Sequence, residues 1–145
     1  MSSPGVRTAL QAAIEAAAGT LPVFDLSDYV SADEVLTGIS AEALLIQYVT
    51  ADEEQVTIGG EGNQGWREVG TVVLHLVVPT GFDSAPAIAK GDAIRLALRG
   101  KRVDASLVVE ACEPFRDFGS DAIGNEGGAW KYWSSNLLYE RDDCG

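Results

Sequence analysis

Apolar residues recur along this chain with two different periods, which predict helices in some segments and strands in others. Over residues 4–18, they return every three or four positions and form one stripe of a helix that Pro4 opens and Gly19 closes. A second helix is expected over residues 84–99, closed by Gly100. Its buried face is predicted to consist of Ile88, Ala89, Ala93, Leu96 and Ala97.

Alternating or β-branched segments predict the strands. The longest is expected over residues 68–78, where Pro79 ends it because proline cannot donate to a sheet ladder. One of its faces should be buried (Val72, Leu74, Leu76 and Val78), and the other is less apolar (Val69, Thr71, Val73, His75 and Val77). Further strands are expected over 43–49, 55–58, 103–112 and 129–141. In the strand expected over 103–112, the inward residues should be Val103, Ala105, Leu107, Val109 and Ala111.

The order of these elements predicts the fold class. Consecutive strands with hairpin-length connections favour antiparallel pairing. We therefore expect a single α+β domain over residues 1–145, with a mainly antiparallel sheet of four to five strands and both helices packed on one face. Mobile loops are expected at about 50–67 and 113–128, an extended surface segment over 20–41 and a frayed tail over 142–145.

Charge and composition narrow the class of protein. The net charge of −12 disfavours nucleic acid as a direct ligand, because phosphate binding requires clustered Lys and Arg. Hydrophobic residues make up 46% of the 145, which is enough for a core. No apolar run approaches the roughly 20 residues that span a bilayer, and no secretory signal pattern is present, so a cytoplasmic protein without a membrane partner is expected.

The residues best suited to catalysis or metal binding are few. The two cysteines, Cys112 and Cys144, and the single histidine, His75, cannot supply the four N or S ligands of a zinc site. The cysteines are expected to be reduced thiols. His75 lies in mid-strand, far in sequence from any suitable nucleophile, so a structural or interface role is favoured over a catalytic triad. No catalytic residue, metal or cofactor is predicted, and the protein is not expected to be an enzyme.

Three other motifs have a functional and a plain structural interpretation. The glycine-rich segment 59–65 lacks the Lys and the following helix of a phosphate cradle, so a flexible hairpin tip is favoured. The acidic runs 52–54 and 142–143 lack the alternating spacing of a calcium loop and are expected to be solvated. The aromatic residues Trp130 and Trp133 are expected to be protein-contact anchors rather than a carbohydrate or base platform, since Trp is enriched at interfaces.

The order of landmarks along the chain resembles a known family. An N-terminal amphipathic helix precedes Leu21–Phe24, and a strand that contains Gly70 ends in Pro79-Thr80-Gly81 before a helix. The chain then finishes on an aromatic strand over residues 130–139. This arrangement resembles the tail terminator proteins of long-tailed bacteriophages, which are related to the minor tail protein U of lambda-like phages.

The resemblance implies a structural role without catalytic residues. Such proteins form a hexameric ring on the end of the tail tube, stop its polymerisation and present a surface to the neck of the head. The implied partners are other copies of the chain, the tail tube protein and a neck or head-completion protein, while DNA passes through the lumen without specific binding. The implied location is the virion, with assembly in the host cytoplasm.

The ring and partner contacts are expected on the exposed second face of the long strand, on its flanks and in the two loops. The residues concerned are Trp66, Arg67, Val73, His75, Val77, Phe115, Phe118, Trp130 and Trp133. Two alternatives stay open at this point. One is a head-completion protein or another neck connector, and the other is a small α+β ligand-binding module or enzyme with a pocket under the loops.

Overall fold

A computed structural model describes residues 3–28, 41–55, 65–79, 81–116 and 130–144. Within these ranges the chain forms two α-helices and five strands. The helices are α1 (Pro4–Ala18) and α2 (Ala85–Leu98). The strands are β1 (Val23–Asp25), β2 (Ala43–Gln55), β3 (Gly65–Pro79), β4 (Leu107–Cys112) and β5 (Trp130–Cys144), and a 3₁₀ turn, Leu26–Asp28, follows β1.

All five described strands belong to one sheet with the order β1-β2-β3-β5-β4. Only β1 runs parallel to its neighbour, and the other three pairings are antiparallel. The central strand β3 pairs along its whole length with β5 and along most of it with β2. The predicted α+β fold with a mainly antiparallel sheet is therefore confirmed.

Both helices pack on the same face of this sheet, which we call the inner face. Alternate residues of β3 supply its centre, because side chains at every second position of a strand share a face. The buried cluster joins residues of α1 (Val6, Leu10, Ala13 and Ile14) and α2 (Ala87, Ile94 and Leu98) to residues of the strands (Leu44, Ile46, Val72, Leu74, Leu76, Val78, Leu107, Val109, Cys112, Leu137 and Tyr139).

The predicted buried face of α2 is wrong. The helix buries Ala87, Gly91, Ile94 and Leu98, while Ile88 and Leu96 are exposed. Gly91 explains part of the choice, because a Cβ atom there would lie 3.1 Å from Cδ2 of Leu76. Since α2 is apolar on nearly every side, the sequence pattern alone does not determine which side meets the sheet.

The hairpin of β2 and β3 is longer than predicted, so the expected loop 50–67 is wrong in part. Residues 50–55 continue β2 and residues 65–67 begin β3, with Glu54 opposite Arg67. Gln55 ends β2 rather than opening a separate strand, and residues 56–64 lie outside the described range. Residues 52–55 are exposed, so this part of β2 has no buried face. Its sequence therefore shows no alternation of apolar and polar residues from which a strand could be predicted.

The predicted strand 103–112 starts too early. The carboxylate of Asp104 accepts hydrogen bonds from the backbone N–H groups of Ser106 and Leu107 and fixes a turn there instead. A β-bulge between Val109 and Ala111 then changes which residues face inward. Cys112 is consequently buried in place of the predicted Ala111.

The C-terminal half of the sheet is more ordered than predicted. Residues 142–144 pair in register with β3, so the predicted fraying is wrong for them, while Gly145 lies outside the described residues. Residues 113–116 are also tied to β5, through two backbone hydrogen bonds between Arg116 and Ser134. The predicted loop 113–128 is confirmed as irregular chain over 113–115, where Arg116 then anchors it to β5 through an isolated bridge, and its remainder, 117–128, lies outside the described residues.

The segment after α1 lies at the edge of the sheet, where β1 pairs in parallel with β2, so the extended segment expected on the surface forms part of the sheet instead. Its described part consists of β1 and the 3₁₀ turn, and residues 29–40 lie outside the described range. A guanidinium N–H of Arg7 donates to the carboxylate of Asp25 at 2.8 Å, although Asp25 itself is buried. This ion pair ties α1 to β1.

Candidate functional site

The outer face of the sheet, turned away from both helices, is covered at one end and open at the other. The covered half contains a second buried cluster of Ala43, Leu45, Val77 and Tyr132, against which Phe24, Leu26 and Trp130 pack. In the open half, Val69 and Leu138 are each 38% exposed. Strand register and alternation place further half-buried residues on this open half: Thr71, Val73 and Val108.

This division separates the residues predicted to form contacts on the long strand. Val73 lies in the open half and is half-buried. His75 is 3% exposed and Val77 is fully buried, so the expectation that they lie on an exposed face is wrong. The segment after α1 and Trp130 pack against the cluster that contains Val77, and the His75 ring is held between Gln47 and Ser134.

His75 is the centre of a buried polar network. Its Nε2 atom lies 2.8 Å from Oε1 of Gln47, and its Nδ1 atom lies 2.7 Å from Oγ of Ser134. Because Gln47 Oε1 can only accept, Nε2 carries the proton and Ser134 donates its hydroxyl hydrogen to Nδ1. Burial lowers the pKa of His75 to about 4, so the ring is neutral at pH 7.

In many enzymes a serine nucleophile is hydrogen-bonded to a histidine base, and a third group orients the histidine. Ser134, His75 and Gln47 have this arrangement. Sequence reasoning missed it because Ser134 lies 59 residues from His75. The two residues face each other across paired strands, and each is 3% exposed. A substrate has no access to a pair this deeply buried, so the network satisfies interior polar groups instead.

Arg67, another predicted contact residue, lies at the open half among carboxylates. Its Nε atom is 2.8 Å from both Oε1 of Glu140 and Oδ1 of Asp142. The neighbouring Glu110 carboxylate raises the pKa of Glu140, because it accepts a hydrogen bond from the protonated form of Glu140 and repels its charged form. Asp52 and Glu54 lie on the same face by register, opposite Val69 and Arg67. The open half therefore carries an excess of negative charge.

The predicted aromatic residues do not form one surface. Trp66 lies opposite Gln55 and, by alternation, on the other face from Arg67. Trp133 packs against the inner cluster beneath the helices, whereas Trp130 packs against the outer one. Phe115 packs on the inner cluster beside α2, and Phe118 lies outside the described residues.

The outward side of α2 forms a second exposed apolar surface, which we call the α2 stripe. Ile88 is 41% exposed and Leu96 is 45% exposed. Exposed alanines complete the stripe: Ala85, Ala89 and Ala93. A groove of about 470 Å³ runs between this stripe and Phe115, lined by Ala85, Ile88, Ala89, Asp92, Pro114 and Phe115. Sequence reasoning placed these apolar residues in the core and so missed the surface.

Positive charge is concentrated at the C-terminal end of α2 and in the turn after it. Four of the ten Lys and Arg residues of the chain lie there: Arg95, Arg99, Lys101 and Arg102. The guanidinium of Arg95 lines a groove with Arg99 and Cys112, and two of its nitrogens, Nε and Nη1, are buried without a hydrogen-bond partner. Burial raises the pKa of Cys112, so its thiol is a packing group rather than a nucleophile.

A further groove of about 430 Å³ lies at the end of α1. It is lined by Thr20, Leu21, Pro22, Ala41, Glu42, Phe82, Asp83 and Lys90. An ion pair between Lys90 and Glu42 crosses its wall. The exposed Phe82 ring gives the groove an apolar element.

The described part of the chain has neither a cluster of metal ligands nor a helix that could span a membrane. In those residues no three His, Cys, Asp or Glu side chains converge as a metal site would require. Neither described helix has the length and hydropathy needed to cross a membrane. No protein-family model matches the sequence, and no curated protein matches it significantly.

Proposed function

We propose that this protein is a structural component of a phage tail, a tail terminator that forms a hexameric ring on the end of the tail tube. The ring would end polymerisation of the tube protein and give the neck or head-completion protein a surface to join. The proposal starts from the resemblance of the landmarks around Gly70 and Pro79-Thr80-Gly81; Gly70 lies within the central strand β3, which ends at Pro79.

The open half of the outer sheet face is the observation that carries the proposal. Val69 and Leu138 are large apolar side chains left exposed in the middle of paired strands, with Val73 beside them. Exposed apolar patches on a sheet of this kind mark contacts with other protein surfaces. A ring protein needs such a surface on every copy.

The charge of the chain fits the proposed passage of DNA. With a net charge of −12, the ring would repel a duplex in its lumen rather than bind it. The proposed partners are other copies of this chain, the tube protein and the neck protein, in the virion and, during assembly, in the host cytoplasm. Neither a membrane nor a cofactor has a part in this proposal, and the protein is not proposed to be an enzyme.

Tube polymerisation in the presence of the protein tests this function. The tail tube protein encoded in the same genome is polymerised with and without this chain, and tube lengths are measured by negative-stain electron microscopy. We expect shorter tubes that carry a six-fold ring at one end. Leu138→Asp should abolish the effect, whereas Ala16→Asp, at an exposed position of α1, should retain it. Tubes of unchanged length without rings would contradict the proposal.

One observation favours a second candidate function, a small ligand-binding module. The groove beside Phe82 and the Lys90–Glu42 ion pair combines an apolar wall with two charges, which suits a small polar molecule. This candidate predicts a monomer or dimer whose melting temperature rises with a ligand from a metabolite panel. The same panel tested against Lys90→Met separates a bound ligand from general stabilisation.

A further inference from the structure

We infer that copies of this chain join head to tail, with the α2 stripe of one copy seated on the open half of the outer sheet face of the next. This inference rests on the self-association within the proposed function. It adds which two surfaces meet and why they fit each other.

The exposed apolar surfaces lie on opposite sides of the molecule. Six large apolar side chains are exposed in the described residues: Ile88 and Leu96 are on α2, Val69 and Leu138 are on the outer sheet face, and Val49 and Phe82 lie apart from both surfaces. The helix layer covers the inner face, so the outward side of α2 and the outer face of the sheet point in opposite directions. One copy can therefore offer both surfaces at the same time to two different neighbours.

The outward side of α2 is largely apolar. It carries Ile88, Leu96 and three alanines, with Asp92 as the charged residue among them. Exposed apolar side chains that share one face indicate a contact with another protein surface. The groove beside Phe115 adds a recess in which an apolar side chain of the next copy can insert.

The charges of the two surfaces are complementary, which is why we assign a second copy as the occupant. Around the C-terminal half of the α2 stripe, three cations, Arg95, Arg99 and Lys101, stand against one acid, Asp92. Around the open half, the cations Arg67 and Arg102 stand among five acids: Asp52, Glu54, Glu110, Glu140 and Asp142. A cation of the next copy relieves the crowding of Glu110 against Glu140.

A contact between two different surfaces has a geometric consequence. Each copy that uses its α2 stripe on one neighbour still presents its open half to another, so the assembly continues until the rotation closes a ring. A two-fold dimer through either surface alone would leave the other one exposed. The pairing of unlike surfaces therefore suits a ring, whereas the pairing of like surfaces does not.

Two blocked variants test this pairing. Leu96→Asp blocks the α2 stripe and Leu138→Asp blocks the open half, and both positions are exposed, so both variants should fold and melt close to the parent. Each variant alone is expected to be monomeric by light scattering. Mixed, they are expected to form a 1:1 pair that cannot grow, because each supplies the surface that the other lacks. A variant that still self-associates alone would overturn the inference.

Cross-linking covers the case in which the contact is weak in solution. Leu96→Cys and Leu138→Cys are made separately in a Cys144→Ser background, and a short bis-maleimide is added to each and to their mixture. We expect cross-linked dimers in the mixture well above either variant alone, with the Cys144→Ser parent, which retains the buried Cys112, as the background. Equal yields in the separate samples, or none in the mixture, would overturn the pairing.

The outcome separates this inference from the proposed function. If the mixed variants pair but the protein leaves tube length unchanged, the contact stands and the tail role fails. If the protein caps tubes but the mixed variants neither pair nor cross-link, the tail role stands and a different pair of surfaces builds the ring.

Discussion

His75 gives the sharpest test of the buried network on the outer sheet face. Burial lowers its pKa from 6.5 to about 4, and it is the only histidine of the chain. At about 1.4 kcal/mol per pKa unit, this difference is worth about 3 kcal/mol of folding free energy. Replacing His75 by Gln removes the titrating ring while keeping a polar side chain that can still reach Gln47 and Ser134.

The sign of the effect follows from which state binds the proton. Between pH 6.5 and pH 4 the unfolded chain protonates its histidine while the folded chain does not, so protons favour unfolding. The free energy of unfolding of the parent should therefore fall as the pH drops through this window. Above pH 6.5 both states are neutral, and below pH 4 both are protonated, so the contribution of His75 no longer changes there.

Urea denaturation of the parent and of His75→Gln from pH 7.5 to pH 4 measures the effect. Both proteins carry the same carboxylates, so their difference isolates the histidine. We expect the stability advantage of the parent at pH 7.5 to shrink by about 3 kcal/mol by pH 4. Parallel pH profiles for the two proteins, or a folded-state imidazole that titrates above pH 6 by NMR, would refute the argument from burial.

Three further substitutions test the packing. Gly70→Ala should cost about 1–3 kcal/mol, because a Cβ there would lie 2.4 Å from the Tyr139 hydroxyl oxygen, and the cost should disappear in a Tyr139→Ala background by chemical denaturation. Ile94→Ala should lower the free energy of unfolding by about 2–5 kcal/mol, whereas Leu96→Ala should change that of the monomer by no more than about 0.5 kcal/mol. Equal losses would support the buried face of α2 that was predicted from the sequence. Asp25→Ala should lower the unfolding free energy by about 1–3 kcal/mol, because it leaves Arg7 without its partner, and Arg7→Ala should then add little; additive losses in thermal melts would contradict this coupling.

Periodicity predicted the elements whose burial is one-sided. Helix α1 has the predicted bounds, because the extent of its apolar stripe agrees with a start at Pro4 and an end before Gly19. The inner face of β3 was equally clear from alternation between Val72 and Val78. One face of each of these elements meets the core and the other meets solvent or a neighbour. The periodicity of apolar residues therefore identifies the buried face.

Periodicity did not determine the elements that are apolar or polar on all sides. The charged end of β2 is held by pairing with β3 and not by burial, and α2 is oriented by the close approach at Gly91. The burial of Val77 depends on Phe24 and Leu26, which are distant in sequence. Such long-range covering leaves no local signal, and this is why the face of the long strand that was expected to be exposed is buried at His75 and Val77 but only half-buried at Val73.

The two-layer architecture is compatible with the proposed head-to-tail pairing. Helices cover only the inner face, and β1, its 3₁₀ turn and Trp130 cover half of the outer face. The open half leaves Val69 and Leu138 uncovered among acidic side chains, so it has room for the third layer that we propose. A helix that is apolar on its free side and flanked by cations is a fitting third layer for a sheet face flanked by acids, and every copy of this chain carries one.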